Sequence, residues 1–176
     1  MGVQARIARH RLACTGFGAV VAQVGDRWRA ASPCEGWDAR AVLEHVIGFH
    51  EVLVLRPLGV RAHRPGDDPV GRWTATEAAI FTALDSASVA GPLTAVPGAD
   101  AYDLVALLPA LTTDVLVHTW DLARAAGIDV RLDEDLCGRA LAAGPPPAGE
   151  MFAPPVAVPD DADVQVQMLA VYGRRP

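Results

Sequence analysis

The chain has 176 residues, 51% of them hydrophobic and 20% charged, enough for one domain that buries about 70% of its unfolded surface and too few for a second full domain. All 15 basic residues are arginine, which excludes chemistry that needs a lysine amine, such as a Schiff base or a Walker-type phosphate loop. Against them stand 21 acidic residues for a net charge of −6, and the arginines are dispersed, so no basic stripe is left for nucleic acid or an anionic membrane.

The first predicted element is a helix over 3–28, in which Val3, Ile7, Cys14, Phe17, Val21, Val24 and Trp28 recur at helical spacing. Arg6, Arg9 and Arg11 ahead of a mildly apolar run imitate a signal peptide, but Gly16, Gly18 and Gln23 interrupt that run. A second helix is expected over 39–56, capped by Asp38, with Trp37 stapling onto Val42, and stopped by Pro57. The third is expected over 73–90. The fourth, over 102–126, ends with Arg124 near its carboxyl end and Gly127 as its C-cap. A shorter helix follows over 133–143, broken by Gly144-Pro145-Pro146-Pro147, and Asp160 or Asp161 caps a last one bearing Val164, Met168 and Val171. Strand signals and internal repeats are nearly absent. The expected fold class is all-α: a four-helix bundle over 1–143 with a short, irregular, proline-rich tail over 144–176 packed on it.

Several polar groups intrude on faces that should be apolar. His45 shares a face of the second helix with Val42, Val46, Phe49 and Leu53. In the fourth helix Asp114, His118 and Asp121 lie beside or within a stripe of Leu104, Leu107, Leu108, Leu111, Val115 and Leu122. A buried carboxylate requires a compensating charge, from either an arginine or a metal ion. A carboxylate and an imidazole at i, i+4 present two ligands from one helix surface, and an inward His45 would add a third. A capping or salt-bridge role for the same residues is the alternative. His10, His50 and His63 are assigned to solvent or ordinary packing. The three cysteines, Cys14, Cys34 and Cys137, form no C-x-x-C pair, so neither a disulfide framework nor a cysteine zinc site is indicated and a reducing, cytoplasmic compartment is expected.

The block Ser32-Pro33-Cys34-Glu35-Gly36-Trp37-Asp38, continuing through Leu43-Glu44-His45-Val46-Ile47-Gly48, resembles the signature of the mycothiol-dependent maleylpyruvate isomerase-like metal-binding proteins of the DinB-like superfamily. A second block, Asp114 to Arg124, is similar to that family's fourth-helix motif, and the stretch from Phe152 to Ala162 is similar to the tail of its short, single-domain branch. The resemblance implies an up-down-down-up four-helix bundle holding a divalent metal through His45, Asp114 and His118. Zinc is expected ahead of nickel or iron. The isomerases carry a glutamate where this chain has Asp114, and a separate C-terminal domain where it has only a short tail.

The implied function is that of a thiol (mycothiol)-dependent transferase or isomerase acting on a small molecule, as a monomer or homodimer. The alternative is a non-catalytic or stress-associated protein whose ion staples the bundle. Asp121 is expected to stand behind the ligands, paired with Arg40, because both fall toward the same end of the bundle if the second and fourth helices are antiparallel. Cys34 is expected to pack within its loop.

Overall fold

The computed structural model describes residues 2–95, 99–144 and 152–176. Among the described residues, six α-helices make up most of the regular structure: α1 Val3–Val21, α2 Ala39–His50, α3 Pro69–Leu84, α4 Leu104–Ala126, α5 Glu134–Ala143 and α6 Val164–Val171. Two two-residue strands, β1 Pro92–Leu93 and β2 Tyr102–Asp103, pair antiparallel ahead of α4. The fold is therefore all-α, as the hydrophobic periodicity requires.

Aspartates start most of these helices, since a short carboxylate reaches the free N–H groups of the first turn. Asp38 accepts from Ala41 N at 2.8 Å, Asp68 from Gly71 N at 2.9 Å, Asp103 from Ala106 N at 3.0 Å and Asp133 from Leu136 N at 2.9 Å. The last helix is capped by Asp163, which reaches Val166 N at 2.9 Å, and not by Asp160 or Asp161. Helix α1 stops well short of residue 28 because Gly25 turns left-handed (φ 61°) and Arg27–Arg29 form a separate 3-10 turn. Helix α3 begins earlier than expected, at Pro69, where a missing N–H costs nothing. Beyond His50, α2 continues as a π-helical turn over Glu51–Leu55, and the Tyr102 hydroxyl donates to the Leu53 carbonyl there. Gly127 closes α4 in the left-handed conformation, as expected. The break proposed at Pro145–Pro147 lies outside the described residues.

Side-chain contacts fix the direction of each helix. Arg6 meets Val105 and His10 meets Thr112, so α1 and α4 run parallel. Arg11 meets Phe81 while Gly18 abuts Trp73, so α1 and α3 are antiparallel. His45 meets Asp114 and Trp37 stacks near His118, so α2 and α4 are antiparallel. The bundle is thus up-down-down-up. Pro109 within α4 has no N–H for the Val105 carbonyl, and the Arg6 guanidinium donates to that oxygen instead, at 2.9 Å.

The core is continuous, with Phe17, Leu43, Ile47, Trp73, Ile80, Leu104, Leu108 and Leu122 each at most 2% exposed. Against this core, a side chain on Gly18 would place its Cβ 2.7 Å from Trp73 Nε1. The indole is 2% exposed and packed edge-on against Phe17, so it has nowhere to move. Gly18→Ala is expected to destabilise the protein by about 1–3 kcal/mol despite alanine's better helix propensity. Chemical denaturation would check this, and an unchanged midpoint would mean that the helices can separate there.

Candidate metal centre

His45 reaches inward from α2, and Asp114 and His118 lie one turn apart on the facing side of α4. Asp114 Oδ1 is 3.3 Å from His45 Nε2 and 3.4 Å from His118 Nε2, and the three donor atoms lie within 4.8 Å of one another. Two imidazole nitrogens and a carboxylate oxygen form a donor set for zinc, nickel or ferrous iron. The Asp114 and His118 side chains are each 5% exposed, whereas that of His45 is 20% exposed, so the cluster has one open edge, on the α2 side.

The groups behind these three side chains orient them. His118 Nδ1 donates to Asp121 Oδ2 at 2.9 Å, leaving Nε2 directed at Asp114 and His45. Asp121 is completely buried, and its charge is met by Arg174, whose Nε lies 2.9 Å from Oδ1 and whose Nη2 lies 2.7 Å from Oδ2. Burial alone would raise both aspartates, but hydrogen bonds from His118 and His45 hold Asp114 well below the usual carboxylate range, and those from His118 and Arg174 lower Asp121. Burial likewise opposes a charged His118. Hydrogen bonds with Asp114, Asp121 and Cys34 outweigh it and keep the metal-free imidazole protonated well above its ordinary range.

The expected Arg40–Asp121 pair does not form. Arg40 Nε instead bonds Glu44 Oε1 at 3.1 Å on its own helix. Arg40 is five residues from His45, a rotation of about 140° around a helix, so being level with Asp121 does not make it face Asp121. Arg174, from the far end of the chain, takes that place. Gly173 makes this approach feasible: its φ is 76°, and a Cβ there would collide with the Ala153 backbone. Cys34, expected to pack within its loop, places Sγ 3.2 Å from both Asp121 Oδ2 and Arg174 Nη2. Neither Arg174 nor Cys34 bears a sequence mark of this role, beyond the requirement that an acid in a leucine seam find a cation.

Aromatic rings wall the cluster. Trp37 lies 4.9 Å from the His45 ring and stacks at 5.9 Å from His118, while Phe49 lies 4.6 Å from His45. Phe152 packs 6.4 Å from His118, beneath the Arg174 guanidinium. Phe152 also lines a cavity of about 680 Å³ together with Arg6, Pro109, Thr113, Ala140 and Tyr172. Of the remaining histidines, His63 is exposed as expected. His10 and His50 are buried and bonded to each other, so of the two expected settings they take packing and not solvent. His50, five positions after His45, points to another side of α2, where it meets His10 of α1 and Trp73 of α3.

Comparison with known proteins agrees with the resemblance read from the sequence. Residues 10–57 match the family described as the mycothiol maleylpyruvate isomerase N-terminal domain. Two uncharacterized proteins of Mycobacterium tuberculosis, one from strain CDC 1551 / Oshkosh and one from strain ATCC 25618 / H37Rv, are each 29% identical over 164 residues, covering 83% of this chain and 81% of theirs. No solved structure matches the chain. Among the described residues no helix is long and apolar enough to cross a membrane.

Proposed function

We propose, taking the match to the mycothiol maleylpyruvate isomerase N-terminal domain as premise, that this chain is a cytoplasmic divalent-metal protein that binds a low-molecular-weight thiol and acts as a thiol-dependent transferase or isomerase on a small molecule. The observation that carries the reading is the convergence of His45, Asp114 and His118 on one point, with His118 oriented from behind by Asp121 and Arg174. His45, Asp114 and His118 would hold the ion, with zinc preferred. A bound divalent ion supplies the positive charge that converts a thiol to its thiolate near neutral pH. Asp121 and Arg174 keep the His118 ring in one orientation, and Trp37, Phe49 and Phe152 exclude water from three sides. The exposed edge of His45 is the side from which a thiol would approach. The exposed edge of His45 also favours an enzyme over a protein in which the ion merely staples the bundle, since it leaves one side of the cluster open.

The test is optical, because zinc is spectroscopically silent. After cobalt or nickel substitution, N-acetylcysteine is expected to produce a new sulfur-to-metal absorption with proton release, growing as pH rises toward neutrality. The same increment is expected in Cys34→Ser. A protein whose metal raises the melting temperature while thiol leaves its spectrum unchanged would be a stapled bundle, and the enzyme reading would fall.

A further inference from the structure

A second cluster lies on the bundle axis. His10 and Cys14 are one turn apart on α1, His50 ends α2, and all three are at most 1% exposed. His10 Nε2 is 3.0 Å from His50 Nε2, and Cys14 Sγ is 3.7 Å and 3.9 Å from these two nitrogens.

The proton count in this cluster turns on the Thr112 hydroxyl. His50 Nδ1 lies 2.6 Å from the Val46 carbonyl, which can only accept, so Nδ1 carries the hydrogen and Nε2 of the neutral ring is a bare lone pair. At His10, Nδ1 lies 3.1 Å from the Thr112 hydroxyl, which also reaches the Leu108 carbonyl at 2.7 Å. When that hydroxyl donates to Leu108 it accepts from Nδ1, and the Nε2 of His10 is then a bare lone pair as well. In that arrangement two lone pairs face each other at hydrogen-bond distance. The one hydrogen of the Cys14 thiol satisfies at most one of them. Adding a proton to either ring is opposed by burial, which pushes both histidines below their ordinary range, and at His10 by the neighbouring His50 as well.

A cation accepting all three donors satisfies that arrangement, and the spacing suits one. A triangle with these sides has its centre about 2.1 Å from each corner, close to the roughly 2.0–2.3 Å of metal bonds to imidazole nitrogen and thiolate sulfur. The Val46 carbonyl and the Thr112 hydroxyl fix both rings by their far nitrogens, as outer partners of metal-bound histidines do.

We infer that His10, Cys14 and His50 form a second, buried metal site for a thiophilic closed-shell ion, zinc or monovalent copper. Binding forms one metal–sulfur and two metal–nitrogen bonds and releases the Cys14 thiol proton to solvent. One thiolate and two neutral imidazoles leave a cuprous site uncharged and a zinc site at +1, and the low polarity of the axis favours the former. No ligand is shared with His45, Asp114 and His118, so either site can be lost without the other.

The experiment uses Cys34→Ser/Cys137→Ser protein, in which Cys14 is the sole thiol. Titration with cobalt(II) is expected to give a thiolate-to-cobalt absorption that saturates within two equivalents, one for each centre. Adding His45→Ala should leave this band intact, which separates the inner site from the outer one; adding Cys14→Ser should abolish it. Zinc and cuprous ions are then tested as displacing agents, and the one that removes the band at stoichiometric addition identifies the preferred ion. Absence of the band while Cys14 is present, or its survival in Cys14→Ser, would overturn the site. So would nitrogen NMR of metal-treated protein showing a proton on His10 Nε2 shared with His50. If neither ion displaced cobalt, the closed-shell assignment would fall.

Discussion

Replacing His45, Asp114 or His118 by alanine is expected to lower divalent-metal affinity at the outer centre by about 100-fold or more, since loss of an outer partner alone typically costs about 10–100-fold. Bound metal, measured by elemental analysis after dialysis, should fall by a single equivalent in each variant, while His63→Ala retains it. Asp121→Asn should produce a smaller loss, because the amide keeps the volume but weakens the hold on the His118 ring. The pH dependence follows from the same contacts. With no metal bound, His118 stays protonated well above its ordinary range, so an ion must expel that proton to bind. Affinity should therefore rise by about tenfold per pH unit until the pH passes the raised value, then level off. Retention of metal in His45→Ala together with its loss in His63→Ala would overturn the ligand assignment.

Arg174→Ala is expected to be the most destabilising single change in the tail, by about 3–5 kcal/mol, because it leaves the fully buried Asp121 charge with only His118 and Cys34 as partners. For a domain of this size that corresponds to a fall in melting temperature of roughly 6–20 °C, at about 2–4 °C per kcal/mol. Asp121 has a folded-state pKa below its unfolded value of about 3.9, so its contribution is fully present above that value and disappears as pH falls through the lower, folded one. The difference between wild type and Arg174→Ala should accordingly be large at neutral pH and shrink in acid. Removing the charge on both sides, as Arg174→Met with Asp121→Asn, should recover part of the loss, since a buried pair is costlier to break than to replace. Equal melting temperatures for wild type and Arg174→Ala at neutral pH would show that solvent reaches Asp121 once the guanidinium is gone.

The sequence by itself determined the all-α class, the existence and rough extent of the four main helices, and the inward placement of His45, Asp114 and His118. Each rests on local information: a 3.6-residue apolar period, an aspartate three residues before a free N–H, and polar groups spaced by one helical turn. Ends were less legible where a second device took over. The left-handed turn at Gly25 cut α1 short, the π-helical turn extended α2, and Asp163 capped α6 in place of its neighbours. The identity of Asp121's partner was decided by tertiary structure alone. Helical level suggested Arg40, but angular position turned Arg40 toward Glu44, and Gly173 folded the tail back so that Arg174 arrived from 53 residues away. The His10–Cys14–His50 cluster was hidden for the same reason. Periodicity identifies one buried face per helix, whereas α2 is enclosed on two, and which residues of α1 meet its second face depends on how the helices pack.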